Sequence, residues 1–335
     1  MHKIKYYTLS EANVSGINLR YSQGRSLVEL MIAMTIGLII SLAVTSLFVN
    51  NSKTYKTFDD KSVMEEDGRM ALNTIAYQIR MAETGPPQNT TTQGAVGAGK
   101  SEYDQGAGEA ISGCSGGFIS PVVPASPVPC NLSTTGPDSI ALRYVVDLDN
   151  SNAAAASAAA VTDCLGQIVP QTIKDNPWDS NYTVENRYYI AVNPATNRSE
   201  LYCAGNGGVP IGTAFLAGKP IVENVVDMKV VYGYDPMNQQ SVSGFFNAAD
   251  LAAPTVPTPA KKSSWMDGDP DPTKWSGILS AKICLVMRSA NDGLTPKPMS
   301  YTNCSGTVVT APDKRLYSTF TTVVGVRGRT SGRSL

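Results

Sequence analysis

Gly24-Arg25-Ser26-Leu27-Val28-Glu29-Leu30-Met31-Ile32-Ala33 opens an apolar run that continues to Val49. From Leu27 to Val49 the run is 23 residues long. As an α-helix it would span about 34 Å, enough for the hydrocarbon core of a bilayer. It is longer than the apolar region of an ordinary secretory signal, and no small-residue cleavage site follows it. The segment is therefore expected to stay in the mature protein. Glu29 stands near its start, where an unpaired carboxylate in hydrocarbon costs at least a few kcal/mol.

Gly24 lies immediately before the run, after a polar and charged stretch that does not belong to it. Cleavage between Gly24 and Arg25 would create a free α-amino group close to Glu29. That amine would neutralise the carboxylate, so Glu29 and the proposed cleavage point explain each other. Gly24-Arg-Ser-Leu-Val-Glu29-Leu-Met-Ile-Ala resembles the prepilin (class III) signal. In that family cleavage follows the glycine and a glutamate stands fifth in the mature chain. The resemblance implies a prepilin peptidase that cuts after Gly24, N-methylates Arg25 and leaves Glu29 as the assembly carboxylate. The family usually has phenylalanine at the first mature position, where this chain has Arg25.

Segment 1–24 carries Lys3, Lys5 and Arg20 against Glu11 in a chain of net charge −1, so its removal leaves −3. Neither value draws the protein broadly to nucleic acid. His2 is the single histidine. A chain cut after Gly24 holds none, which excludes His-dependent nucleophilic catalysis and His-ligated metals. No enzyme is expected, and no cofactor. All six cysteines, Cys114, Cys130, Cys164, Cys203, Cys284 and Cys304, lie beyond the apolar run, and none forms a C-x-x-C pair. That usage favours disulfides in an oxidising compartment. Lysines and arginines are balanced on the two sides of the run and leave orientation open, so the cysteines place the C-terminal side in the periplasm. Six cysteines allow fifteen connectivities. Pairing in chain order (114–130, 164–203, 284–304) is the expectation, because each pair brackets a local strand–loop unit; free buried cysteines are the alternative.

Beyond the run, residues 50–85 favour helix, with Phe58, Val63, Leu72, Ile75 and Ile79 in a loose 3.6-residue spacing. Gly85-Pro86-Pro87 stops it. Gly37 and Gly68 read as tolerated helix glycines. Residues 86–136 read as a long polar loop, and 139–146 as a strand with Ile140, Leu142, Tyr144 and Val146 on one face. A strand–turn–strand follows over 182–203. Residues 221–234 start irregularly and end as a strand, 235–274 read as another polar loop, and 278–288 and 316–326 supply two further strands. The Ala-rich stretch 151–160 reads as loop. The fold class expected is α+β: a long N-terminal helix packed on an antiparallel sheet with disulfide-stapled loops. Its parts are a removed leader (1–24), a membrane or filament-core helix (25–49), its amphipathic continuation (50–85) and a β-rich head (86–335).

Asp267-Gly-Asp269-Pro-Asp271 alternates carboxylates as a calcium loop does. Ile278 occupies the position of the closing glutamate and two prolines interrupt the loop, so a solvated turn is the better reading. Lys261-Lys262 with Trp265 and Trp275 is too small a basic–aromatic patch for a nucleic-acid footprint. Ile283-Cys-Leu-Val-Met-Arg-Ser289 and Val225-Val-Asp-Met-Lys-Val-Val-Tyr-Gly-Tyr234 resemble strands of PilW-type minor pilins. That resemblance implies a subunit that primes or caps type IV pilus assembly and supports twitching motility, adhesion or DNA uptake. The partners it implies are major and minor pilins, a PilY-type tip adhesin, the prepilin peptidase and the inner-membrane assembly platform. The location implied is the inner membrane first and the pilus, at its tip, afterwards. A type II secretion minor pseudopilin and a pilin-anchored sugar-binding module are the alternatives.

Overall fold

Helix α1 runs without interruption from Leu27 to Met81, with Glu29 in its first turn and Arg80 in its last. Its sequence holds no proline and only two glycines, Gly37 and Gly68, so nothing breaks the hydrogen-bond ladder. The computed structural model describes residues 26–82, 110–125, 127–131, 133, 135–146, 161–170, 182–210, 212–237, 239–259 and 273–327. The chain divides into two compact units, Met1–Tyr55 and Lys56–Leu335.

In the second unit the helix buries Met64, Gly68, Ala71, Leu72, Ile75, Ala76, Gln78 and Ile79. These residues share one face at 3.6 residues per turn. Leu72, Ile75 and Ile79 lie on it as the sequence indicates. Phe58 and Val63 do not: they are 67% and 49% exposed. Val63 stands about 180° round the helix from Leu72, and Met64 takes the inward position instead. The expected stop at Gly85-Pro86-Pro87 lies outside the described residues.

Eleven strands are described in the head: β1 (Ile111–Cys114), β2 (Ser139–Val146), β3 (Tyr182–Asn193), β4 (Arg198–Gly205), β5 (Lys219–Glu223), β6 (Val225–Tyr234), β7 (Gly244–Phe246), β8 (Ile278–Arg288), β9 (Ser300–Thr302), β10 (Val308–Thr310) and β11 (Tyr317–Gly325). They form a five-stranded sheet ordered β1-β2-β3-β4-β5, a four-stranded sheet ordered β11-β8-β6-β7 and the hairpin β9–β10. Adjacent strands are antiparallel throughout. The head therefore has two sheets where one was expected. One core joins them to the helix, with Ile75 and Ile79 of α1, Ile140 and Leu142 of β2, Tyr188 of β3, and Val230, Ile283 and Leu285 of the four-stranded sheet.

The irregular start expected for 221–234 is a change of sheet. β5 ends at Glu223, Asn224 turns with φ 59°, and β6 begins at Val225 in the other sheet. Asparagine is among the few residues that adopt this left-handed conformation readily. Two further expectations are corrected. The polar stretch 86–136 contains β1, all four residues of which are buried. The stretch 235–274 contains β7 and a short helix α2 (Ala248–Ala252), capped by Asn247, whose side chain accepts from the Asp250 N–H at 2.8 Å. These pieces are too short to show periodicity and are held by their neighbours.

The cysteines pair in chain order as Cys114–Cys130, Cys164–Cys203 and Cys284–Cys304, across 16, 39 and 20 residues. In the chain-entropy model each closure is worth about 3–4 kcal/mol. Cys114–Cys130 ties the loop after β1 to that strand, and Cys284–Cys304 ties the β9–β10 hairpin to β8.

Gly68 has a packing role that its sequence does not reveal. A Cβ built there would lie 2.8 Å from Cδ2 and Cε2 of Phe320 on β11. The glycine lets the aromatic ring lie directly on the helix backbone. Gly68→Leu is expected to displace Phe320 and to destabilise the head by about 1–3 kcal/mol, read as a lower urea midpoint.

Candidate functional site

The apolar segment Leu27–Val49 is exposed along its whole length in the first unit, on every face of the helix. It is long and apolar enough to cross a membrane. Its four hydroxyl side chains turn inward onto the helix's own carbonyls. Thr35 Oγ1 donates to Ile32 O at 2.8 Å, Ser41 Oγ to Gly37 O at 2.8 Å, Thr45 Oγ1 to Ser41 O at 2.7 Å and Ser46 Oγ to Ala43 O at 2.9 Å. Such bonds remove the cost of a polar group in a greasy setting. Glu29 is the one charged residue in the segment, and its carboxylate has no partner among the described residues. Its place in the first turn sets it near the positive end of the helix dipole, worth up to about 1 kcal/mol. That does not replace a counter-charge. Gly24 and Arg25, the cleavage and methylation positions read from the sequence, lie outside the described residues.

The head is organised by buried polar clamps. Arg143 on β2 and Arg187 on β3 flank Glu185, and all three are buried. Glu185 Oε2 accepts from Arg143 Nε at 3.0 Å and also pairs with the Arg143 terminal nitrogen. Glu185 Oε1 accepts from Arg187 Nε at 2.7 Å. Arg187 then donates to Pro121 O at 2.9 Å, Val123 O at 2.6 Å and Ala125 O at 3.2 Å, and its guanidinium stacks 4.1 Å from the centre of the Phe215 ring. Burial lowers its pKa, and Glu185 opposes that shift. One side chain thus anchors the loop spanned by the Cys114–Cys130 bridge.

Asp138 links the sheets. It accepts from Gly116 N at 3.2 Å and Val230 N at 3.0 Å, with Lys229 Nζ at 3.3 Å. Asp163 accepts from Leu165 N, Gln167 N and Gly207 N, each at 2.9 Å. A Cβ on Gly205 would lie 2.2 Å from the Asp163 carboxylate, which accounts for the glycine there. Asn186 donates to Gln78 Oε1 of the helix at 3.0 Å and accepts from Cys164 N at 2.9 Å. Beside them the Tyr144 hydroxyl is pushed up to about 12, first by burial.

These groups are spent on holding loops and sheets together. Sequence reasoning missed them, although Arg143 and the pair Glu185/Arg187 stand as charges inside apolar strands, two residues apart on one face of β3 in the latter case. Trp275 packs edge-on against Tyr232 at 5.1 Å and is partly buried against the core. Lys261, Lys262, Trp265 and the carboxylates Asp267, Asp269 and Asp271 lie outside the described residues. Among the described residues no group of three or more His, Cys, Asp or Glu side chains is placed to hold a metal.

Residues 19–45 match the prokaryotic N-terminal methylation motif, and residues 187–328 match the family Type IV Pilus-assembly protein W. Among solved structures, a type IV-like pilin from Thermus thermophilus aligns at 9% identity with a TM-score of 0.39, covering 79% of this chain and 97% of that one. None of the curated proteins compared matches the chain. A methylation-type N-terminus on an exposed apolar helix, followed by a disulfide-stapled antiparallel β head, defines a type IV pilin-like subunit. Within the head, residues 187–328 are similar to the PilW family. The class implies anchoring in a membrane by the N-terminal helix and contact with other pilus components.

Proposed function

We propose that this chain is a minor pilin that primes or caps type IV pilus assembly, supporting twitching motility, adhesion or DNA uptake. It is made with residues 1–24 as leader. A prepilin peptidase cuts after Gly24 and methylates Arg25. The helix then waits in the inner membrane through the assembly platform's cycle, with the head in the periplasm. On extraction its apolar surface passes from lipid to the helices of neighbouring major and minor pilins. The head is carried to the pilus tip beside a PilY-type adhesin.

The observation that carries this reading is the helix surface. Every hydroxyl between Leu27 and Val49 is satisfied internally, and Glu29 alone has no partner among the described residues. A cleaved N-terminus of a neighbour fits that need. Mass spectrometry of the cellular protein is expected to show a methylated N-terminus at Arg25, with the chain present in sheared filaments. Recovery with the first 24 residues still attached would defeat the reading.

A further inference from the structure

An asparagine or aspartate stands directly before glycine at four places, Asp67-Gly68, Asn206-Gly207, Asp267-Gly268 and Asp292-Gly293. In such a pair the glycine nitrogen can close on the preceding side-chain carbon, because no side chain on the second residue obstructs it. Asparagine reacts faster than aspartate in an unfolded chain, since its amide is a better electrophile than a carboxylate. By sequence, Asn206-Gly207 is therefore the weakest point. The fold reverses that order. Asn206 is 1% exposed. Its Oδ1 accepts from Glu185 N at 2.9 Å and its Nδ2 donates to Thr183 O at 2.8 Å. Gly207 N, the atom that would attack, donates to Asp163 Oδ2 at 2.9 Å. Gly68 is buried inside helix α1, where the hydrogen-bond ladder fixes its backbone. Asp267-Gly268 lies outside the described residues.

Asp292-Gly293 is exposed, in the loop between β8 and β9. Gly293 has φ 75°, and a Cβ there would meet nothing within 4 Å. Asp163, Asn193, Asp235 and Asn303 each accept from the N–H two residues on. Asp292 instead accepts from its immediate neighbour, Gly293 N, at 2.6 Å. Its Cγ is one C–O bond further, at most about 3.8 Å from that nitrogen and close to a near-attack separation. We propose that Asp292-Gly293 is a site of spontaneous backbone isomerisation, and that the isoaspartyl form frees the loop 290–295 from the helix. The Gly293 nitrogen loses its proton and bonds to Cγ. One carboxylate oxygen leaves as water, taking that proton and one from solvent, and a cyclic imide remains. Water then adds at either imide carbonyl. One opening restores aspartate. The other leaves the chain running through Cβ and Cγ, one methylene longer, with the former main-chain carboxyl as the side group. Asp292 Oδ1 also accepts from Lys314 N at 3.1 Å. Asn291 beside it donates to both carboxylate oxygens of Asp60 on α1, at 3.0 and 3.1 Å. Isomerisation takes the carboxyl away from Lys314 N and lengthens the chain next to Asn291, which breaks both contacts.

The test ages the purified, oxidised full-length chain in detergent at neutral pH and physiological temperature, with isoaspartate located by peptide mapping and electron-transfer fragmentation. Isoaspartate is expected at residue 292 ahead of residues 67 and 206, by about tenfold or more, since a committed amide has lost the near-attack geometry. In the same chain unfolded in urea the order inverts, and Asn206 deamidates first. Asp292→Glu keeps the charge but is one methylene too long to close the same ring, and should abolish the product at that position. Hydrogen exchange over residues 289–295 should be faster in the aged chain and should match that of Asp60→Ala. Three results would each overturn the proposal: native deamidation at Asn206 ahead of residue 292, no product at residue 292 on the timescale on which it reacts in the unfolded chain, or an isoaspartyl form whose exchange over 289–295 is unchanged.

Discussion

Glu185→Gln is expected to destabilise the head by about 3–5 kcal/mol. Glu185 lies between two buried guanidinium groups, with one carboxylate oxygen on Arg143 Nε and the other on Arg187 Nε. Taking charges out of water costs several kcal/mol per ion, and only mutual attraction with well-formed hydrogen bonds offsets it. An amide keeps the shape but loses the charge, and its NH₂ meets guanidinium donors where an acceptor is needed. Burial already opposes the charge on Arg187. Without Glu185 its grip on Pro121, Val123 and Ala125 is lost together with the pair. The loss should appear in urea unfolding of the full oxidised chain in detergent as a midpoint shift with unchanged slope. Arg187→Lys is expected to fall between the two, since an ammonium keeps a charge but lacks the fork that reaches several acceptors at once. A Glu185→Gln midpoint equal to that of the parent chain would show that the triad adds nothing to the fold.

That triad also marks where the sequence stops being legible. Long, strongly patterned elements can be read directly. The helix through Met81 follows from its composition, and β2, β3, β4, β8 and β11 follow from alternating or continuous β-branched runs. What is lost are features whose cause is remote in sequence. β1 is four residues inside a glycine-rich stretch and exists because β2 pairs with it. Asn224 splits a single apolar run between two sheets by one left-handed residue, which no period of two can signal. Gly68 looks like an indifferent helix glycine until Phe320, far along the chain, is seen resting on it. Val63 enters the loose apolar spacing of the sequence only because it is apolar. Phase about the helix axis, fixed by Met64, Ala71 and Ile75, decides otherwise. Charged strand residues such as Arg143 read as solvent-facing by default, and only a covering loop turns that face into a second interior. For the N-terminal site the sequence was enough to single out Glu29, because one acid in an apolar run stands out by composition alone. The closure of the four hydroxyls on their own helix, which leaves Glu29 isolated, needed the structure.

Glu29→Ala is expected to reduce recovery of the chain in sheared filaments by roughly a hundredfold while leaving it processed and abundant in the membrane. Two effects act in the same direction. In lipid the substitution relieves the membrane-inserted state, since a carboxylate within hydrocarbon costs at least a few kcal/mol. In the filament proposed above it would also remove the partner of a neighbour's terminal amine, and leaving one member of a buried pair costs about 3–5 kcal/mol. Even the lower figure is about two factors of ten in an equilibrium constant. The four hydroxyls cannot take over, because each is already bonded to a carbonyl of its own helix. The rest of the segment is apolar, so a helix without Glu29 packs in many axial registers with nearly equal energy. Glu29→Asp separates charge from reach: it keeps the carboxylate, shortens it by one methylene, and should restore incorporation in part. Glu29→Gln keeps the length without the charge and should resemble alanine. Quantitative immunoblots of membrane and filament fractions for the three variants decide the matter, with N-terminal mass spectrometry confirming that cleavage is intact. Full incorporation of the alanine variant would mean that the helix finds its register by shape alone and that the acid is not the assembly group.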